Sequence, residues 1–206
     1  MPVPSYPAAF RRAFDLGIVL ALITSWQGQA TAQDPVLELS APPDQSELTI
    51  HHPDVSPDGQ YLAVSAGTTF SNSTIWVFNR QTESLDQLTS VDDQMNVGDV
   101  CARWSPDGQS ILFVSDRGEG LGIYLVDIAT HSTRLMHKLN LKHLAWWAQA
   151  DWSPDGSEII FPDQLGDNQN LFSYRISDGH IEQVTEEQAV RVMFPAWSPD
   201  GHTIPL

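Results

Sequence analysis

The tetrapeptide Ser-Pro-Asp-Gly occurs four times in this chain of 206 residues: Ser56-Pro57-Asp58-Gly59, Ser105-Pro106-Asp107-Gly108, Ser153-Pro154-Asp155-Gly156 and Ser198-Pro199-Asp200-Gly201. Measured from serine to serine, the spacings are 49, 48 and 45 residues. Each copy dictates a tight turn. Proline presets φ for the second position of a type I turn, aspartate suits the third, and glycine takes the left-handed conformation that follows. Asp58, Asp107, Asp155 and Asp200 hold one fixed place in that motif, so each is expected to cap its own hairpin rather than serve as a catalytic acid or base.

The flanks of the turns read as strands. A large apolar residue precedes each turn (Val55, Trp104, Trp152, Trp197), and alternating segments follow at 61–64, 111–114 and 159–161. A third strand is expected at 74–78, 122–126 and 170–174, and a fourth at 85–89, 133–137 and 181–185. Four antiparallel strands per repeat, with no amphipathic helix between them, is the plan of a propeller blade. The expected fold is therefore all-β, a partial β-propeller of three four-stranded antiparallel blades (about 49–89, 97–137 and 146–185) plus the start of a fourth (191–206). Trp104, Trp152 and Trp197 share one repeat position, which predicts packing between neighbouring blades. Closed propellers need at least about four blades, so an arc this short is expected to leave blade faces open to self-association, or to be a truncated product.

The run Trp104-Ser105-Pro106-Asp107-Gly108, then Ile111-Leu112-Phe113-Val114-Ser115-Asp116-Arg117, then Ile123-Tyr124-Leu125-Val126-Asp127, resembles the WD-like propeller repeat of the TolB family. Leu88-Thr89 and Val184-Thr185 resemble the Leu-Thr that ends such repeats. The likeness covers residues 49 to 206, without the α/β domain that precedes the propeller in TolB. It implies a periplasmic or secreted, non-enzymatic module that binds a protein or peptide in envelope organisation of the Tol–Pal kind. The same repeat is similar to the non-catalytic, substrate-gating propellers of prolyl-oligopeptidase-like hydrolases, which is the alternative function. A Gly-x-Ser-x-Gly elbow, the sign of such a hydrolase domain, is missing from the sequence.

The N-terminus carries an address. Arg11 and Arg12 form a basic region, residues 16–23 (LGIVLALI) a short apolar core, and Ala30-Thr31-Ala32 a cleavage site, so 1–32 is expected to be a secretory signal peptide. The arginine pair also resembles a twin-arginine export pattern, but Phe10 and Asp15 depart from it. No later segment approaches the length that spans a bilayer, so no membrane span is expected in the mature form. Residues 33–48 read as a linker with one short strand at 36–39. The net charge of −16 excludes a general phosphate-backbone binder, so no nucleic-acid partner is expected. Cys101 is the sole cysteine, which removes an internal disulfide and a cysteine-ligated zinc site.

Candidate binding residues come from repeat phase. The first strand of a propeller blade lines the central channel, and the residue before each signature position is Asp54, Arg103, Asp151 or Ala196. Charges there need partners or water. Asp54, Arg103 and Asp151, with Gln149 and Arg191 nearby, are therefore the expected channel or partner-binding residues. No metal or cofactor is expected. His51 and His52, adjacent on a strand, would point to opposite faces, and residues 167–170 (DNQN) lack the pattern of a calcium loop and read as a loop tip. The sequon Asn72-Ser73-Thr74 is read as a fortuitous loop sequence.

Overall fold

The computed structural model describes residues 49–69, 72–90, 97–118, 120–141, 149–165, 168–186 and 194–204. The signal segment 1–32, the linker 33–48 with its strand at 36–39, and Arg191 lie outside the described residues. Among the described residues twelve strands form three four-stranded antiparallel sheets, each a meander in chain order. The first holds β1 (Thr49–Val55), β2 (Tyr61–Thr69), β3 (Asn72–Asn79) and β4 (Ser84–Gln87). The second holds β5 (Asp99–Trp104), β6 (Ser110–Ser115), β7 (Gly122–Asp127) and β8 (Thr133–Lys138), and the third β9 (Asp151–Trp152), β10 (Glu158–Leu165), β11 (Asn168–Arg175) and β12 (Ile181–Gln183). This is the partial all-β propeller that the repeat predicts. The fourth unit is described as its turn and flanks, residues 194–204, without strand pairing.

Each predicted turn locks itself with the same hydrogen bonds. The Ser56 hydroxyl donates to Asp58 Oδ1 (2.6 Å) and accepts from the Tyr61 amide (2.9 Å), while the Gln60 amide donates to the same aspartate oxygen (2.9 Å). The set recurs around Ser105, Ser153 and Ser198. Glycine is required at the fourth place, where φ lies at +70° to +72° in all four copies. The turns also meet one another: a Cβ on Gly156 would stand 3.7 Å from Pro106 Cδ, and one on Gly201 3.7 Å from Pro154 Cδ.

The blades pack face to face, and a bulge redirects the first two inner strands. Between Val100 and Arg103 β5 carries one residue more than β6, with Cys101 at φ 61°, and β1 repeats the bulge at His52, φ 50°. An extra residue reverses the alternation of faces. Val100 accordingly joins the core between the second and third blades, while Ala102 and Trp104 join the core between the first and second. Trp104 packs there with Ala63, Ile75 and Val77 of the first blade, and Trp152 packs with Val100, Leu112 and Ile123 of the second. Leu88 at the end of the first blade is 4% exposed, whereas Val184, its counterpart in the third blade, is 42% exposed.

Two polar joints sit within these apolar interfaces. The fully buried Asp99 carboxylate accepts from the Thr89 hydroxyl of the first blade (2.6 Å) and from Arg117 Nε (3.1 Å) and Nη2. The Arg117 guanidinium lies over the Phe113 and Tyr124 rings. At the next interface Asp163 accepts from the Asn140 amide (2.7 Å) and side chain (3.1 Å) and bonds His137 Nε2 at 3.1 Å.

Three sequence expectations need correction. Leu88-Thr89 and Val184-Thr185 lie beyond β4 and β12, because the Thr89 and Thr185 hydroxyls take up the Ile75 and Leu171 amides in place of a ladder partner. Asn168 to Asn170 are not a loop tip but the start of β11, paired with Leu165 to Asp163. Asn72-Ser73-Thr74 likewise opens β3, and Ser73 is buried with its hydroxyl donating to the Asp99 carbonyl (3.0 Å).

Two outcomes follow from these locks and joints. The serine hydroxyl, then the following amide, holds the Asp58, Asp107, Asp155 and Asp200 carboxyls below their ordinary value, Asp155 to about 2. A depressed carboxylate contributes stability above its unfolded value that is lost as pH falls through the folded one. Urea denaturation should show stability falling between about pH 4 and about pH 2, with a shallower fall in Asp155→Asn. Asp99→Ala leaves Arg117 facing a buried void without its counter-charge, and should cost about 3 kcal/mol or more in the same measurement at neutral pH.

Candidate functional site at the inner edge of the arc

The inner strands β1, β5 and β9 are the edge strands of their sheets, so each has one row of backbone groups without a ladder partner. At the signature position a carboxylate from the preceding blade fills that need. Asp54 Oδ2 accepts from the Trp104 amide (2.7 Å), and Asp151 Oδ2 accepts from the Trp197 amide (3.0 Å). The Asp54 carbonyl also accepts from Trp104 Nε1 (3.2 Å). Two of the predicted channel residues therefore join one blade to the next.

Arg103 occupies the same repeat position and behaves differently. It cannot accept a hydrogen bond, so it has no equivalent bond to Trp152. Its guanidinium instead reaches forward, Nη2 donating to Gln149 Oε1 (2.9 Å) and Nη1 to its own neighbour's carbonyl at Ala102 (3.1 Å). Trp152 Nε1 and Trp197 Nε1, the counterparts of the bonded Trp104 Nε1, are both buried without a hydrogen-bond partner among the described residues.

Asp54, Arg103, Gln149 and Asp151 thus belong to one neighbourhood built by three blades. Burial raises the Asp54 carboxyl above its ordinary value, opposed by the Trp104 amide and by the positive charge of Arg103 and reinforced by Asp151. Burial pushes His52 down to about 4, with smaller contributions from His51 and Arg103, so His52 is uncharged at neutral pH. The His51 and His52 rings lie 6.1 Å apart, centre to centre, at the bulge that breaks simple alternation. Among the described residues no group of three His, Cys, Asp or Glu side chains is placed to hold a metal. Cys101, at the second bulge, is buried and its thiol is pushed up to about 12 by desolvation. Ala196, the fourth repeat residue, is exposed.

Sequence reasoning located these positions but assigned no partner to either aspartate. It did not find the buried joints of Asp99 and Asp163, although Leu88-Thr89 and Ser115-Asp116-Arg117 carry their residues: Thr89 and Arg117 bond Asp99, and Asp116 Oδ1 accepts from the Gly98 amide (2.8 Å).

No family model matches the chain, and comparison with curated proteins finds no match. Solved structures do match. TolB from Acinetobacter baumannii aligns at 24% identity and a TM-score of 0.63, over 76% of this chain and 37% of that one. A TolB-assigned chain from Agrobacterium tumefaciens aligns at 24% identity and 0.57, over 76% and 52%. An oligogalacturonate lyase in complex with manganese aligns at 18% identity and 0.58, over 76% and 44%. The chain spans about half or less of the length of these structures, and the likeness is one of fold. One of the three is by its name an enzyme, so activity in this fold is decided by the site rather than by the propeller.

The two roles of Asp54, acceptor and buried charge, separate by substitution. Asp54→Asn keeps an acceptor for the Trp104 amide and removes the charge, and should stay within about 1 kcal/mol of the parent at neutral pH. Asp54→Ala leaves the amide unpaired and should cost about 1–3 kcal/mol. Paired urea titrations measure both.

Proposed function

We propose that this chain is an exported, non-enzymatic propeller module that binds a protein or peptide partner at the inner edge of its blades, in the cell envelope. The observation that carries the reading is the meeting of Asp54, Arg103, Gln149 and Asp151, contributed by three blades to one half-buried polar neighbourhood between apolar interfaces. Few precisely placed polar groups within an apolar frame are what orient a bound segment. Export is supported by the order of basic, apolar and small residues across 1–32, and the envelope by the resemblance to TolB repeats. A non-enzymatic role is supported by the chemistry of the site. Its aspartates accept backbone amides, its arginine donates to an amide oxygen, and the buried thiol of Cys101 is held protonated.

Replacing Arg103 and Asp151 together by alanine, with the fold checked by circular dichroism, tests the reading by pull-down from an envelope extract. Loss of a partner retained by the parent is expected. An unchanged set of recovered proteins would overturn it.

A further inference from the structure

The inner edge repeats one device, and the chain breaks it once. Where a blade ends its inner strand with Asp before the signature residue, the carboxylate meets the amide of the next tryptophan, as at Asp54 and Trp104 and at Asp151 and Trp197. Between the second and third blades the acid is replaced by Arg103. That step therefore gains a cation where its neighbours have an anion. Two observations show a missing carboxylate, and a third shows an unused donor on Trp152. The Arg103 guanidinium has no carboxylate within ion-pair distance among the described residues; its hydrogen bonds go to the neutral oxygens of Ala102 and Gln149. Trp152, 9% exposed, holds its indole N–H buried and unpartnered among the described residues, as Trp197 does, whereas that of Trp104 donates to the Asp54 backbone carbonyl. Among the described residues the Trp152 amide has no carboxylate like those that meet Trp104 and Trp197.

We propose that the step between Arg103 and Trp152 is a binding site for a single carboxylate supplied by the partner, which takes the place of the aspartate that the repeat has lost. This deepens, and rests on, the reading of the inner edge as a peptide-binding surface. A planar carboxylate suits the guanidinium fork and accepts several donors at once. The two neighbouring carboxylates, Asp54 and Asp151, are each engaged by a tryptophan amide and leave Arg103 as the cation between them. Their charge limits the site to one anion and keeps its affinity modest. The carboxylate can come from a peptide C-terminus or from an Asp or Glu side chain.

Three short peptides separate these sources when titrated into the full chain: acetylated tri-alanine with a free C-terminus, the same peptide as its amide, and an amidated acetyl-Ala-Asp-Ala. The Trp152 indole N–H resonance is followed by NMR. A saturable shift with one or both acids, and none with the neutral amide, is expected. Arg103→Asp restores the repeat's own acid, so it should keep or raise the melting temperature while weakening the acid peptide by about tenfold or more. Equal shifts with acid and amide, no shift with either acid at tens of millimolar, or unchanged affinity in Arg103→Asp would each overturn the proposal. If the acids fail but the Arg103/Asp151 double variant still loses its envelope partner, this site is wrong and the wider reading stands. If the acids bind but the pull-down is unchanged, the reverse holds.

Discussion

An edge strand buried at the inner side of a propeller must find partners for a row of backbone groups that no ladder will take, and how that need is met decides how the first blade joins the second and the third joins the fourth unit. A carboxylate from one blade back takes up the amide of the next signature tryptophan, at 2.7 Å for Asp54 and 3.0 Å for Asp151. The tryptophan side chain lies in the interface with the preceding blade, Trp104 among Ala63, Ile75 and Val77, and Trp152 keeps the same place among Val100, Leu112 and Ile123 without that bond. The bulges at His52 and Cys101 serve the same end. Each strains one residue into the left-handed region so that the strand can turn its last apolar side chain backward.

Away from the signature residues, each interface uses different chemistry for the same purpose. Asp99 and Asp163 come from different strands, β5 and β10, yet each gathers donors from the end of the preceding blade. A hydroxyl serves at Thr89 and a backbone amide at Asn140, so the role is kept while the residue changes. Buried polar groups of this kind specify one arrangement of blades because a slipped arrangement would leave them unpaired. Hydrophobic packing alone, with Leu, Ile, Val and Phe on both sides, discriminates much less between neighbouring registers.

Much of the fold was legible in the sequence because its information is local. Ser-Pro-Asp-Gly encodes a turn by hydrogen bonds among residues no more than five apart, and the structure forms those bonds in all four copies. The strands beside the turns were legible for the same reason. The end of the fourth strand was not, because Thr89 leaves the ladder to reach Asp99, ten residues further on and in the next blade. Asn168 to Asn170 misled through composition: polar residues read as a loop, but they pair with β10 in a long hairpin. The candidate site was half legible. Repeat phase placed Asp54, Arg103 and Asp151 together, and what it could not supply was direction. For Asp54, which way the carboxylate faces follows from a bulge whose left-handed residue is His52 rather than glycine, so no residue type announces it.

Amide hydrogen exchange at the signature tryptophans tests the central claim most directly. The account predicts slow exchange of the Trp104 and Trp197 amides, with Asp54→Ala accelerating Trp104 and leaving Trp197 slow. Exchange at Trp104 that is unchanged by the loss of Asp54 would contradict it, because the carboxylate would then not be what joins the first blade to the second.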